Sequence, residues 1–247
     1  MIDFFVPVDH STRPYAKLLR ETGERLKSGH HIINWNCAMI GPGNPPDGYN
    51  CVARTAAPTR NSHRTMAHGI ALNMCTSHIK SSRVIYADCD VALLHKDWDS
   101  IVMQELDTYD CFGADFAGTR RRYRRFPGLF FFCFGSHILK NVELDFTPLM
   151  KNNYQVEFIK TTERTAEFIG WRQGQMVKCD TGWRIAADVQ EAGYTGHVMI
   201  GTTTSYPNHG HKWQYNGHPF LIHMGNCSQS NPDKFQQWVS VVEGMTI

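Results

Sequence analysis

The chain has 247 residues, with 25 lysines and arginines against 23 aspartates and glutamates, and is 42% hydrophobic and 12% aromatic. That balance excludes a disordered tail or a fibre, and no Pro/Gly/Ser-rich stretch divides the chain, so a single domain is expected.

The apolar run Phe4-Phe5-Val6-Pro7-Val8 predicts a first strand. Ser11-Thr12-Arg13-Pro14, with Tyr15, Leu18, Leu19 and Leu26 behind it, predicts a capped helix. His31 to Trp35 reads as a second strand. The stretch from Gly41 to Asn50 holds three glycines and three prolines and must be a loop, a candidate lid on its composition. Ala67, Ile70, Ala71 and Met74 follow helical spacing, and Arg83 to Ala87 reads as a strand ending in Asp88-Cys89-Asp90. A helix over Trp98 to Leu106, strands over Tyr109 to Ala114 and Leu129 to Phe134, and a helix over Gly182 to Ala192 complete the alternation. Such an order predicts an open α/β sheet with helices on both faces.

The cysteines, Cys37, Cys51, Cys75, Cys89, Cys111, Cys133, Cys179 and Cys227, show no Cys-x-x-Cys or zinc-type spacing. Reduced thiols in a cytosol-like compartment are the expectation. Met1-Ile2-Asp3 starts no secretion signal, and the longest apolar runs are too short to span a bilayer. A soluble cytoplasmic protein, at most peripheral to a membrane, is therefore expected. No heptad pattern or isolated amphipathic helix indicates an oligomeric state.

Asp88 and Asp90 directly follow an apolar strand, and residues i and i+2 of an extended chain project to one side, so both carboxylates converge. In an open α/β sheet, ligands bind at the carboxyl ends of the strands, where a hard divalent cation and a diphosphate fit such a pair. A polar loop whose aspartates cap the next segment is the structural alternative.

Three further segments accompany this pair. They are Lys178-Cys179-Asp180-Thr181-Gly182-Trp183 leading to Ala192-Gly193-Tyr194, Pro219 to Gly225 with His223 at the end of an apolar run, and Pro127-Gly128 before Leu129 to Gly135. With these segments the chain resembles the GT-A fold glycosyltransferases, in particular the inverting family-2-like enzymes, which use nucleotide-sugar donors. The resemblance implies a Rossmann-like, mostly parallel sheet in one domain. Residues 1–110 would form its nucleotide-sugar and metal half, and 111–247 its acceptor half. It implies that Asp88, Asp90 and His223 hold Mn²⁺ or Mg²⁺, the mixed donor set leaning toward Mn²⁺, and that Asp88 also serves the donor, a UDP- or GDP-sugar. Val8 and Asp9 stand where the family receives the base, with Asn61 and Arg64 reaching the base or phosphates. Asp180 becomes the candidate general base, a carboxylate at a helix N-terminus; capping that helix is its structural alternative. The family usually has Glu before this aspartate and often a second Asp two residues on, where this chain has Cys179 and Gly182. Gly128 would line the acceptor pocket.

The most biased segment is Arg120-Arg121-Arg122-Tyr123-Arg124-Arg125-Phe126, five arginines between two predicted strands. Guanidinium groups suit a phosphate-rich acceptor, and Tyr123 and Phe126 suit stacking on bases. The acceptor classes are a hydroxymethylated base in DNA, a lipid-linked sugar at an anionic membrane surface, or a glycan; a solvated loop is the structural alternative. Among thirteen histidines, His209, His211 and His218 are near enough in sequence for a separate zinc group, but no Cys or His spacing repeats a zinc pattern, which argues against it. Two other functions compete with the transferase. A nucleotidyltransferase needs a glycine-rich, basic loop after the first strand, and Asp9 to Arg13 contains no glycine. A non-catalytic nucleic-acid-binding module would use the arginine run alone.

Overall fold

The computed structural model describes residues 1–58, 64–115, 126–152, 155–160, 174, 176–203, 210–225 and 232–245. Strand β1 (Ile2–Asp9) is apolar on both sides: Phe4, Val6 and Val8 enter one core cluster and Phe5 the other. A strand of this kind belongs in the middle of a sheet covered on both faces. Helix α1 (Arg13–Leu26) follows, with proline in its first turn, where a missing N–H costs nothing. Its start differs from the expected cap. Thr12 holds the N-cap position in helical geometry without a side-chain cap bond. Instead the Asp9 carboxylate accepts from the N–H groups of Ser11 and Thr12 and from the Ser11 hydroxyl, an Asx turn joining strand to helix.

β2 (Ile33–Ile40) runs parallel to β1 in unbroken register. The loop beyond it gives way at Asn50 to β3 (Asn50–Thr55), an edge strand absent from the sequence expectation. Its mixed, half-exposed composition carries no alternation to detect. The loop itself is clasped. Arg54 donates to the carbonyls of Gly41 and Gly43, Arg13 to that of Pro45, and the buried Tyr49 hydroxyl to that of Ala16. These bonds tie the candidate lid to α1 and β3.

Helix α2 (Arg64–Thr76) returns the chain to β4 (Arg83–Ala87), parallel to β1 on its other side. β5 (Val91–Leu93), α3 (Trp98–Thr108), β6 (Cys111–Ala114) and β7 (Phe131–Gly135) come next. Two short ribbons follow, β8 (Met150–Asn152) with β9 (Gln155–Val156), and β10 (Phe158–Lys160) with β11 (Met176–Lys178). The chain continues through α4 (Ile185–Glu191), β12 (Gly196–Met199), β13 (Gly201–Thr203), β14 (His211–Tyr215), β15 (His218–His223) and α5 (Pro232–Met245).

The central seven-stranded sheet has the order β12-β6-β7-β4-β1-β2-β3. β7 is antiparallel to both neighbours and every other pair is parallel. Residues of α1, α3 and α5 fill one core cluster, and residues of α2 and α4 fill the other. The fold is thus the expected α/β class, a mostly parallel open sheet flanked by helices. A second, antiparallel sheet, β13-β14-β15-β5, is linked to the first through the turn between β4 and β5. From β1 the chain builds outward to β2 and β3 on one side and to β4 on the other, so the switch point of the sheet lies between β1 and β4. All seven described cysteines are free thiols. Among the described residues no helix is long and apolar enough to cross a membrane.

At the amino end of β1 the buried Asp3 carboxylate accepts from the Asn34 side chain and from the backbone N–H groups of Lys80 and Ser81, at 2.7–2.8 Å. Burial pushes this carboxyl up, but the hydrogen bonds outweigh it and hold it below the usual range. Asp3→Ala should therefore cost about 1–3 kcal/mol for each orphaned donor, read as a lower urea midpoint at neutral pH. A carboxyl lowered by folding stabilises above its ordinary range and stops doing so as pH falls through its folded value, so the gap between variant and wild type should close in acid.

Candidate active site

β4 ends at Ala87, and Asp88-Cys89-Asp90 makes the turn into β5. Its backbone is tied on three sides. The Asp88 N–H donates to the Phe130 carbonyl at 3.0 Å, Val91 N–H to the Asp88 carbonyl, and Met224 N–H to the Asp90 carbonyl at 3.1 Å. Antiparallel pairing sets His223 opposite Val91. The His223 Nε2 atom consequently lies 3.1 Å from Asp90 Oδ1 and 3.6 Å from Asp88 Oδ2. The Phe130 ring stacks on the imidazole at 4.7 Å and 2°, fixing its plane.

Ligand atoms of Asp88, Asp90 and His223 all lie within 4.8 Å of one another, the one such group among the described residues. Two carboxylates and an imidazole, with Asp90 buried, are a donor set that suits Mn²⁺ or Mg²⁺. From α2, His68 Nε2 approaches the other Asp88 oxygen, Oδ1, at 3.3 Å. Burial disfavours the charged form of both histidines, yet both are raised above the ordinary imidazole range. The cause is the carboxylates: Asp88, Asp180 and Asp90 around His68, and Asp90 and Asp88 around His223.

These groups open into a cleft of about 450 Å³ at the carboxyl edge of β1 and β4. Pro7, Asp9 and Thr12 line it from β1 and its turn, Arg64, Thr65 and His68 from α2, and Leu129 and Phe130 from the turn before β7. Asp180 and Thr181 form a further wall. Lys178 Nζ pairs with Asp180 Oδ2 at 2.9 Å, and Thr181 N–H donates to Oδ1. The Thr181 hydroxyl donates to the Thr65 carbonyl, tying this turn to the start of α2. A larger recess of about 700 Å³ beside residues 139–145 has no comparable convergence. Its Asp145 is engaged by Asn73 and Thr147.

The structure brings Asp9, Arg64, Asp88, Asp90, Asp180 and His223 to one cleft. Val8 instead buries its side chain in the core. Gly128 shapes the turn that presents Leu129 and Phe130, its N–H donating to the Ala114 carbonyl and its own carbonyl accepting from Phe131. Asp180 does not sit at a helix N-terminus, because α4 begins only at Ile185 behind an N-cap at Arg184. Its cationic partner is Lys178 rather than a helix dipole. His211 and His218 stand at opposite ends of the β14–β15 hairpin, paired with His223 and Tyr215, and so share no zinc site. Asn61, His209, Arg120, Arg121, Arg122, Tyr123, Arg124 and Arg125 lie outside the described residues.

Sequence reasoning missed His68, Thr65 and Thr12. The signal for His68 was present, since it stands four residues after Arg64 and shares its helix face.

No protein-family model matches the sequence, and no curated protein does. Among solved structures, the chain is similar in fold to a mannosyltransferase, PcManGT from Pyrobaculum calidifontis, in complex with GDP-Man and Mn²⁺. Identity is 11% and the TM-score 0.48, over 83% of this chain; this chain spans only 58% of that one. It is also similar to the galactosyltransferase LgtC in complex with donor and acceptor sugar analogs, at 9% identity and TM-score 0.44 over 80% and 72% of the two chains. A third is S. aureus TarS 1–349, at 11% identity and TM-score 0.39 over 59% and 50%.

The turn carrying Asp180 depends on Gly182, whose φ is +60° and whose missing Cβ would lie 2.0 Å from Leu129 Cδ1. Gly182→Ala should lower stability by about 1–3 kcal/mol and shift the thermal midpoint down, through the left-handed backbone and the overpacked leucine.

Proposed function

We propose that the chain is a metal-dependent glycosyltransferase that moves a sugar from a nucleotide-sugar donor, a UDP- or GDP-sugar, to an acceptor hydroxyl with inversion. The observation that carries this proposal is the convergence of Asp88, Asp90 and His223 with Asp180 in one cleft at the switch point of the sheet. Asp88, Asp90 and His223 would hold Mn²⁺ or Mg²⁺. When bound, the ion supplies Lewis-acid stabilisation of charge on the departing nucleoside diphosphate.

The donor base lies at the end of β1, against Asp9 and the backbone of Val8. Arg64, with Asn61 before it in the sequence, takes the diphosphate near the start of the thirteen-residue helix α2, where the helix dipole favours an anion. Phe130 and Leu129 exclude water. Asp180 accepts the proton of the acceptor hydroxyl as that oxygen attacks the anomeric carbon, and the bond to the diphosphate breaks with its electron pair leaving on phosphate. Lys178 holds one oxygen of Asp180, and the base acts through the other.

Residues 1–110 serve the donor and residues 111–247 the acceptor, with His223 reaching back to the metal. The acceptor is phosphate-rich, a hydroxymethylated base in DNA or a lipid-linked sugar, and meets the run Arg120 to Arg125 and the Gly128 turn. Support comes from β6, the last described strand before that run: it points the same way as β1 and β4, so its end at Ala114 lies at the edge of the sheet that carries the cleft. The free thiols agree with work in a reducing cytosol, in solution or at a membrane surface.

A screen of nucleotide sugars with Mn²⁺, with and without chelator and with hydroxymethylated DNA among the acceptors, tests the proposal. One donor should give chelator-sensitive release of nucleoside diphosphate. Asp180→Asn should cut kcat by about 10²–10⁴ while donor binding persists. Absence of release and of any metal-dependent thermal shift, with nucleic-acid binding intact, would establish a binding module instead.

Replacing Arg120, Arg121, Arg122, Arg124 and Arg125 by serine should weaken DNA binding and flatten its dependence on salt, in filter-binding titrations. Unchanged binding removes nucleic acid as the partner of this run.

A further inference from the structure

The two oxygens of Asp88 face different histidines. Oδ2 looks toward His223 at 3.6 Å and Oδ1 toward His68 at 3.3 Å. The two aspartates of the turn are also held differently. The side chain of Asp90 is only 4% exposed, so packing restricts it, whereas that of Asp88 is 29% exposed and has an open side toward the cleft. Orientation of Asp88 therefore needs a partner from outside the turn. His68 is the neighbour on the side away from His223.

The helix carrying His68 is itself fixed. At the next residue, Gly69, a Cβ would lie 2.5 Å from the Phe146 carbonyl oxygen, so the helix and that backbone touch directly. Three residues before His68, the Thr65 carbonyl accepts from Thr181. α2 is thus gripped on both sides of His68 by segments that belong to neither β4 nor β15.

We propose that His68 is a positioning residue: from the fixed helix α2 it engages Asp88 Oδ1 and so turns Oδ2 toward Asp90 and His223, which sets the affinity of the metal site. This inference rests on the metal-binding role proposed above for Asp88, Asp90 and His223. A carboxylate ligand is itself oriented by outer partners, and loss of such a partner typically weakens metal binding by about 10–100-fold.

The test is titration of donor-free protein with Mn²⁺, following the free-ion electron paramagnetic resonance signal. His68→Ala should weaken binding by about 10–100-fold with its circular dichroism spectrum unchanged. His68→Gln, whose amide can still donate to Asp88, should recover most of that loss. In an Asp88→Asn background His68→Ala should change affinity little further, because the group it orients has lost its charge. In turnover, His68→Ala should raise the Mn²⁺ concentration required for half-maximal rate.

Wild-type affinity in the folded His68→Ala protein overturns the inference while leaving the metal site in place. So does a glutamine variant as weak as the alanine one, or equal losses in both backgrounds. Failure of the wild-type protein to bind Mn²⁺ overturns the metal site and this inference together.

Discussion

Everything at the cleft depends on one stretch of strand pairing, the antiparallel register of β5 with β15. Val91 is the residue after Asp90, and it is paired with His223. A shift of one residue along that ladder would turn His223 to the opposite face of its strand and separate it from Asp88 and Asp90. Two features pin the register. The Met224 N–H bonds to the Asp90 carbonyl just beyond the ladder, and beyond its other end the Leu94 N–H bonds to the Phe220 carbonyl. The antiparallel strand β7 completes the arrangement. Its reversed direction delivers Phe130 to the carboxyl edge of the sheet, where its carbonyl receives the Asp88 N–H and its ring covers the imidazole.

The two ends of β1 show how differently one residue type is used in this fold. Asp3 is buried and satisfied by donors from a side chain and two backbone groups, so it stitches β2 and the segment before β4 to the first strand. Asp9, at the cleft end, spends one oxygen on the turn that starts α1. The former carboxylate has nothing left to offer a ligand. The latter organises a loop at the place where open α/β sheets receive one. Charge in the cleft is balanced locally: Asp88 and Asp90 lie against histidines and Asp180 against a lysine, which keeps the cost of gathering three carboxylates in one partly enclosed space low.

Legibility in the sequence followed the strength of the local signal. β1, β4 and β15 are apolar runs with polar residues at their carboxyl ends, and these ends supply Asp9, Asp88, Asp90 and His223. Strands of three residues or fewer, such as β5, β9 and β11, are too short to show alternation, and the edge strand β3 has none to show. The surroundings of Asp180 were illegible for another reason. A sequence places Gly182 in a helix as readily as in a turn, but its positive φ and its contact with Leu129 delay the helix to Ile185. His68 is one of thirteen histidines, and although it shares a helix face with Arg64, the fold is what sets it beside Asp88.

Helix α2 is where these separate supports meet. Its first turn is held by the segment that carries Asp180, its second turn meets Asp88, and its glycine face rests on the backbone at Phe146. The Gly182 N–H bonds to that same Phe146 carbonyl, so the Asp180 turn and α2 are braced on one peptide unit. Distance between the carboxylate at Asp180 and the cluster around Asp88 is therefore set by a rigid helix and one shared carbonyl rather than by the loops on either side. For the transfer proposed above such spacing matters most, because misplacing the acceptor oxygen by about 1 Å would cost roughly 10²-fold in rate. In this fold the residues that keep the distance are a glycine, a threonine and a peptide carbonyl, which brace the Asp180 turn against α2.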